Sequence, residues 1–217
     1  MCIRDSSVVF SFDAADGIPN GSHPGCTQAV SQSVVVNPVP TVNLVASQIL
    51  CVGQSSIAIT FTGTPVGAVY NWTRTPELIG LVATSGSGSV PSFVGTNAGT
   101  TPLVSTFTVT PSFTNAGKTC FGTPRTFTIT INPPPTSNPV PDVQYCHGDN
   151  TLAITFTGSA PGTIYNWTRT PEPIGLAATA GSNTVPSFVT TNPSAARITS
   201  TFTVTPVFTN PTGGPTC

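Results

Sequence analysis

The chain has 217 residues, of which 6% are charged, and a net charge of −1; an ordinary soluble domain carries roughly 25% charged residues. Seven acids and six bases supply neither a basic patch for phosphates nor an acidic tail, so no nucleic-acid partner is expected. No apolar run approaches the ~18 residues that read as a bilayer-crossing helix, so no membrane span is expected in this segment.

Thr, Val, Ile and Phe recur in alternation, punctuated by 23 Pro and 20 Gly. Helix formers never assemble into a period near 3.6, so the expected class is all-β. Residues 1–6, MCIRDS, match the translation of an adaptor used in preparing sequencing libraries, which sets Met1 and Cys2 aside. Residues 7–38 read as the closing strands of a truncated repeat. Within them Asp13 and Asp16, in FDAADG, are either a polar turn or two oxygen donors towards calcium, which wants six to eight.

The next stretch carries the first whole unit, residues 39–133. Strands are predicted at Val42–Val45 and in SIAITFTG, where Ile57, Ile59 and Phe61 share one face. VYNWTR places Tyr70 and Trp72 together. Further strands are predicted at 90–94, at 104–110 with Phe107 and Val109 inward, and at 125–132 with Phe127, Ile129 and Ile131 inward. Gly63–Gly67, Gly86–Gly88 and Asn115–Gly117 supply the turns.

The unit then repeats. Placing Asn37 over Asn132 gives an offset of 132 − 37, or 95 residues, and without a gap this aligns Cys51 with Cys146, Tyr70 with Tyr165, Trp72 with Trp167 and Phe107 with Phe202. A two-residue insertion follows Asn210, after which Cys120 matches Cys217. Residues 134–217 are therefore a second copy that lacks its last strand, a truncation expected to leave an unpaired edge. About seven short strands per 95 residues suggest immunoglobulin-like sandwich modules in tandem. The junctions, NPVPT at 37–41 and NPPPTSNPVP at 132–141, read as semi-rigid spacers.

Each copy has one Cys before its second strand and one before its last. Disulfides Cys51–Cys120 and Cys146–Cys217 are expected, with Cys26 pairing upstream, and they imply an oxidising compartment. Buried free thiols are the other reading. A zinc site would need about four close ligands; no CxxC occurs, and His23 and His147 stand apart from any cluster.

CHGD at 146–149 sets a thiol, an imidazole and a carboxylate side by side, but the first copy has CVGQ there. Neighbours on a strand face opposite ways, which suits a turn better than a nucleophile and its base. No nucleophile–base pair, phosphate loop or metal cluster is visible, so no catalytic residue and no cofactor is assigned. Arg74 and Glu77, with Arg169 and Glu172, are charges kept between the copies, either bracing the turn after the Trp strand or presenting a ligand loop. Trp72 and Trp167 share the parity of the core, against a reading as sugar-stacking platforms. Asn20, Asn71 and Asn166 begin sequons.

The order NPxPT, Cys-x-Gly, ITFTG, YNWTRTPExIGL, PSFVxTN, TFTVTP and Cys before TFTITINP resembles the PKD-like, immunoglobulin-like repeats of very large Bacteroidota cell-surface proteins of the gliding-motility adhesin type. YNWTRT stands where PKD domains carry WDFGDG. The resemblance covers residues 7–217 and implies secretion, by the type IX route, and display on the cell surface. The expected function is that of a non-catalytic stalk spacer or adhesion unit, with neighbouring repeats and a cell-surface or glycan ligand as partners. The alternative is a carbohydrate-binding accessory module of a secreted polysaccharide-degrading enzyme.

Overall fold

The structure is a computed structural model that describes residues 8–12 and 30–217. The expectations for Cys2, Asp13, Asp16, the Asn20 sequon, His23 and Cys26 lie outside the described residues. Among those residues the fold is all-β: fifteen strands, several sheets and no helix.

Strands β1 (Val8–Phe12) and β2 (Val30–Val34) pair antiparallel. The largest sheet lies in residues 48–132, in the order β3 (Gln48–Cys51), β10 (Arg125–Asn132), β8 (Leu103–Asn115), β5 (Val69–Arg74), β6 (Ser85–Ser87), with β9 (Lys118–Phe121) also on β8. Its neighbours pair antiparallel except β3, which runs parallel to β10. Opposite it lies the ribbon of β4 (Ile59–Thr60) and β7 (Ser89–Val90).

Period-two alternation drives one face of each strand inward. Trp72 from β5, Phe107 and Val109 from β8, and Phe127, Ile129 and Ile131 from β10 meet Ile59 and Val90 of the ribbon in one buried cluster. Phe107 stacks on Phe127 at 4.9 Å and lies 5.8 Å from Trp72, centroid to centroid. The β8–β9 hairpin turns through Ala116 (φ 48°) and Gly117 (φ 75°), the left-handed pair that suits the twist of its strands.

Residues 154–207 repeat part of this plan. β12 (Ile164–Arg169) lies between β13 (Ala180–Ser182) and β15 (Phe202–Val207), and β11 (Ile154–Thr155) pairs β14 (Thr184–Val185). Phe156, Tyr165, Trp167, Leu176 and Val185 form a second, smaller cluster. Asn183, at φ 63°, occupies the left-handed position that Gly88 fills in the first copy.

Three expectations are corrected. Residues 42–45 form no strand, although Val42 is buried; the strand is β3, a few residues later. Ile57 is 76% exposed rather than inward. The Gln48 side chain clamps its backbone, donating to the Ile57 carbonyl at 2.9 Å and accepting from the Ile57 N–H at 2.8 Å, which holds the segment outside the ladder.

The disulfide pairing is the third. Cys51 bonds Cys217, 166 positions further along the chain, with Cα atoms 5.6 Å apart, and Cys146 is a free, exposed thiol. Cys51 is opposite Asn132 at one end of the sheet, whereas Cys120 is opposite Phe113 at the other. Leu103, beside Ile131, and Phe113 are ten residues apart on β8, roughly 33 Å of strand. A disulfide needs Cα atoms within about 7 Å, so Cys51–Cys120 cannot close. Cys120 is itself disulfide-bonded.

Candidate functional site

Three places stand out, two of which gather residues that the sequence singled out. The first is the loop after β5. Arg74 is buried at 9% exposure, and its guanidinium donates only inward: Nε to the Ala83 carbonyl at 2.8 Å, Nη1 to the carbonyls of Thr75 (2.7 Å) and Glu77 (2.9 Å), and Nη2 to that of Leu81. Arg169 repeats this with Ala178, Thr170, Glu172 and Leu176. Guanidinium is the one side chain with a fixed fork of five donors, and here the fork satisfies the carbonyls of a loop without ladder partners. Burial lowers the Arg74 pKa, and the Glu77 charge pulls it back. The Thr75 hydroxyl and its own backbone N–H hold the Glu77 carboxyl below the usual range. Glu172 is lowered in the same way, first by the Thr170 hydroxyl. Both arginines thus have their donors turned into the protein.

The two tryptophans are also enclosed. Trp72 is 3% and Trp167 2% exposed, and their indole N–H groups donate to the carbonyls of Ser89 (3.0 Å) and Thr184 (3.1 Å). Gly86 and Gly181 lie flat against them; a Cβ on either would stand 2.5 Å from an indole carbon. Among the described residues the large exposed aromatics are Phe121 and Tyr145, which lie on different copies.

The second place is CHGD. The Asp149 carboxylate accepts from the Cys146 N–H at 2.7 Å, as the Gln54 side chain does from Cys51 at 2.9 Å. Cys and Asp thus close one tight turn. His147 uses its Nδ1 to accept from the Asn192 N–H at 3.0 Å. Among the described residues no three His, Cys, Asp or Glu side chains stand close enough to hold a metal ion, and no helix is long and apolar enough to cross a membrane.

The third place is the seam between the copies, which sequence reasoning missed. The Cys51–Cys217 bond crosses it. Asn210 Nδ2 donates to Asn132 Oδ1 at 2.7 Å with both residues buried. Gly214 lies so close to Ile49 that a Cβ would meet its Cγ2 at 2.6 Å. Beside these contacts opens a shallow cleft of about 490 Å³, lined by Pro102, Val104 and Thr130 on one side and Pro161, Phe208 and Pro211 on the other. No ionisable side chain lines it. The signal for the seam was the offset itself: Asn132 and Asn210 are separated by 78 residues, as are Asn37 and Asn115, whose side chains also bond.

No protein-family model matches the chain, and a search of curated proteins returns no match.

Proposed function

We propose that this chain is a non-catalytic structural or adhesive segment of a secreted cell-surface protein, built of immunoglobulin-like, PKD-like sandwich units in tandem. The observation that carries this reading is the Cys51–Cys217 bond, which ties the first copy of the repeat to the second. A disulfide of this kind persists in oxidising compartments and not in a reducing cytosol. A covalent seam also suits a stalk, because tension along the chain is then borne by sulfur–sulfur linkage as well as by β-ladders.

The residues best suited to chemistry are employed in structure. Arg74 and Arg169 donate to loop carbonyls, and Asp149 caps a turn. The enclosure of Trp72 and Trp167 weighs against the glycan-binding alternative, since stacking on a sugar needs an open ring face. The test is topological. Antibodies against residues 39–217 should label intact cells of the source organism, and protease should strip the label. Labelling only after permeabilisation would overturn the proposal.

A further inference from the structure

The Cys51–Cys217 bond decides how far a pull can lengthen the chain. It joins positions 166 residues apart through Cα atoms separated by 5.6 Å, so the shortest covalent route between the two ends passes from residue 51 straight to residue 217. Residues 52–216 form a closed loop beside that route. While the bond holds, no tension can draw the loop out into line.

Both cores lie in the loop. Every buried residue of the first cluster except Val42 falls there, from Ile59 to Ile131, and the second cluster, Phe156 to Val185, falls there whole. The forks of Arg74 and Arg169 and the Asn132–Asn210 bond belong to the loop too. What the route keeps of the first copy is a short strap, residues 41–51, fastened along its length. Thr41 N–H donates to the Thr64 carbonyl at 2.6 Å and Asn43 N–H to that of Thr62 at 2.8 Å. Arg125 Nε donates to the Val42 carbonyl at 3.0 Å, and β3 pairs with β10. Peeling this strap breaks its hydrogen bonds but adds no length beyond the route itself.

We propose, resting on the reading of the chain as a stalk segment, that the bond is a redox gate on a reserve of length. Closed, it caps the extension of the chain under load. Opened, it lets both copies unfold into line, so the stalk lengthens instead of parting. The opening step is thiol–disulfide exchange with a dithiol reductant. Cys51 is buried and Cys217 half-buried, which directs attack to the Cys217 sulfur. One thiolate of the reductant bonds to that sulfur and the Cys51 thiolate leaves. The second thiol then displaces Cys217, and the reductant departs as its own disulfide. Two thiols are oxidised and one disulfide is reduced. The disulfide of Cys120 opens by the same chemistry.

The experiment stretches the full chain by its two ends in a single-molecule force instrument. Cys146→Ser is present throughout, so that no internal thiol reshuffles the bond. The oxidised chain should extend to no more than about 180 Å, the length of the residues up to Cys51 at ~3.5 Å each. Complete reduction with dithiothreitol should raise the limit by about 550–600 Å, the contour of the 166 positions released. Washing out the reductant and reoxidising at zero load should restore the short limit. An oxidised chain that reaches the long limit, with its Cys51–Cys217 linkage verified by peptide mass, would overturn the proposal. So would a fully reduced chain that stops at the short one. Surface labelling of cells reads neither length, so the two proposals fail separately.

Discussion

Asn210 donates through its side-chain amide to the side-chain oxygen of Asn132 at 2.7 Å, and Asn115 donates likewise to Asn37 at 3.0 Å. Each bond joins the Asn-Pro at the end of one repeat to a turn 78 residues on, in the next. The two are not equally satisfied. Asn37 Nδ2 also donates to the carbonyls of Asn115 and Lys118, at 3.2 and 3.3 Å, whereas Asn132 Nδ2 is enclosed without an acceptor among the described residues.

The difference orders two substitutions. Asn37→Ala leaves a donor and two carbonyls of the hairpin turn without their partner, at about 1–3 kcal/mol for each group that stays dry. Asn132→Ala strands the Asn210 donor but also removes a donor already unmet, so its cost should be smaller, about 1 kcal/mol. Urea midpoints of the two variants against the parent chain decide the matter. An equal or reversed order would show that the amide of Asn132 is satisfied in solution.

The Cys51–Cys217 pairing predicts a specific fragment. Proteolysis without reduction should release a peptide pair joined through these two residues, and Cys146 should react with a thiol reagent in the folded chain. A peptide pair joining Cys51 to Cys120 would contradict the fold, since those residues lie at opposite ends of the sheet. Closing a loop of 166 residues contributes about 5 kcal/mol in the chain-entropy account. Cys217→Ser should therefore lower stability by up to that amount and free the carboxyl-terminal residues from Ile49.

Most of the fold was legible in the alternation. TFTITI and TFTVT place their apolar residues inward, and the structure buries Phe107, Val109, Phe127, Ile129 and Ile131. What the pattern could not reveal was decided by side chains acting on distant backbone. Gln48 pins Ile57 outward, and so the eight-residue run SIAITFTG pairs over only two residues. The cysteines show a different limit. Their spacing is the same whether a bond closes within a copy or between copies, and only the length of β8 separates the two cases. The seam was hidden because Asn-Pro reads locally as a spacer, while its partner lies 78 residues away.

Gly86 and Gly181 are placed so that a methyl group would overlap the indole beneath. The contact is with a ring held by its own hydrogen bond to Ser89 or Thr184, so the ring cannot swing aside without breaking that bond. Gly86→Ala should cost about 1–3 kcal/mol, the range for overpacking a tight core, and should shift Trp emission to the red. Iodide should quench the parent chain weakly. Strong quenching would place the indoles at the surface and reopen the sugar-stacking reading.

Arg74 and Glu77 make a prediction in pH. The Glu77 carboxyl titrates lower in the folded chain than in the unfolded one, chiefly through the Thr75 hydroxyl. A depressed folded value means that the unfolded chain binds the proton more tightly. The contribution to stability is therefore full above the ordinary glutamate value, about 4.3, and is lost as pH falls through the lower, folded value. Glu77→Gln should flatten the acid side of the stability curve and leave the neutral side little changed. Arg74→Lys tests the other half of the loop. Lysine keeps the charge, but its single ammonium cannot span the four carbonyls of Thr75, Glu77, Leu81 and Ala83. If the fork is what holds the loop, Arg74→Lys should cost about 3 kcal/mol, the order of two unmet buried carbonyls, and residues 75–83 should exchange their amides faster. A lysine variant as stable as the parent would mean that charge alone, supplied to Glu77, is sufficient there.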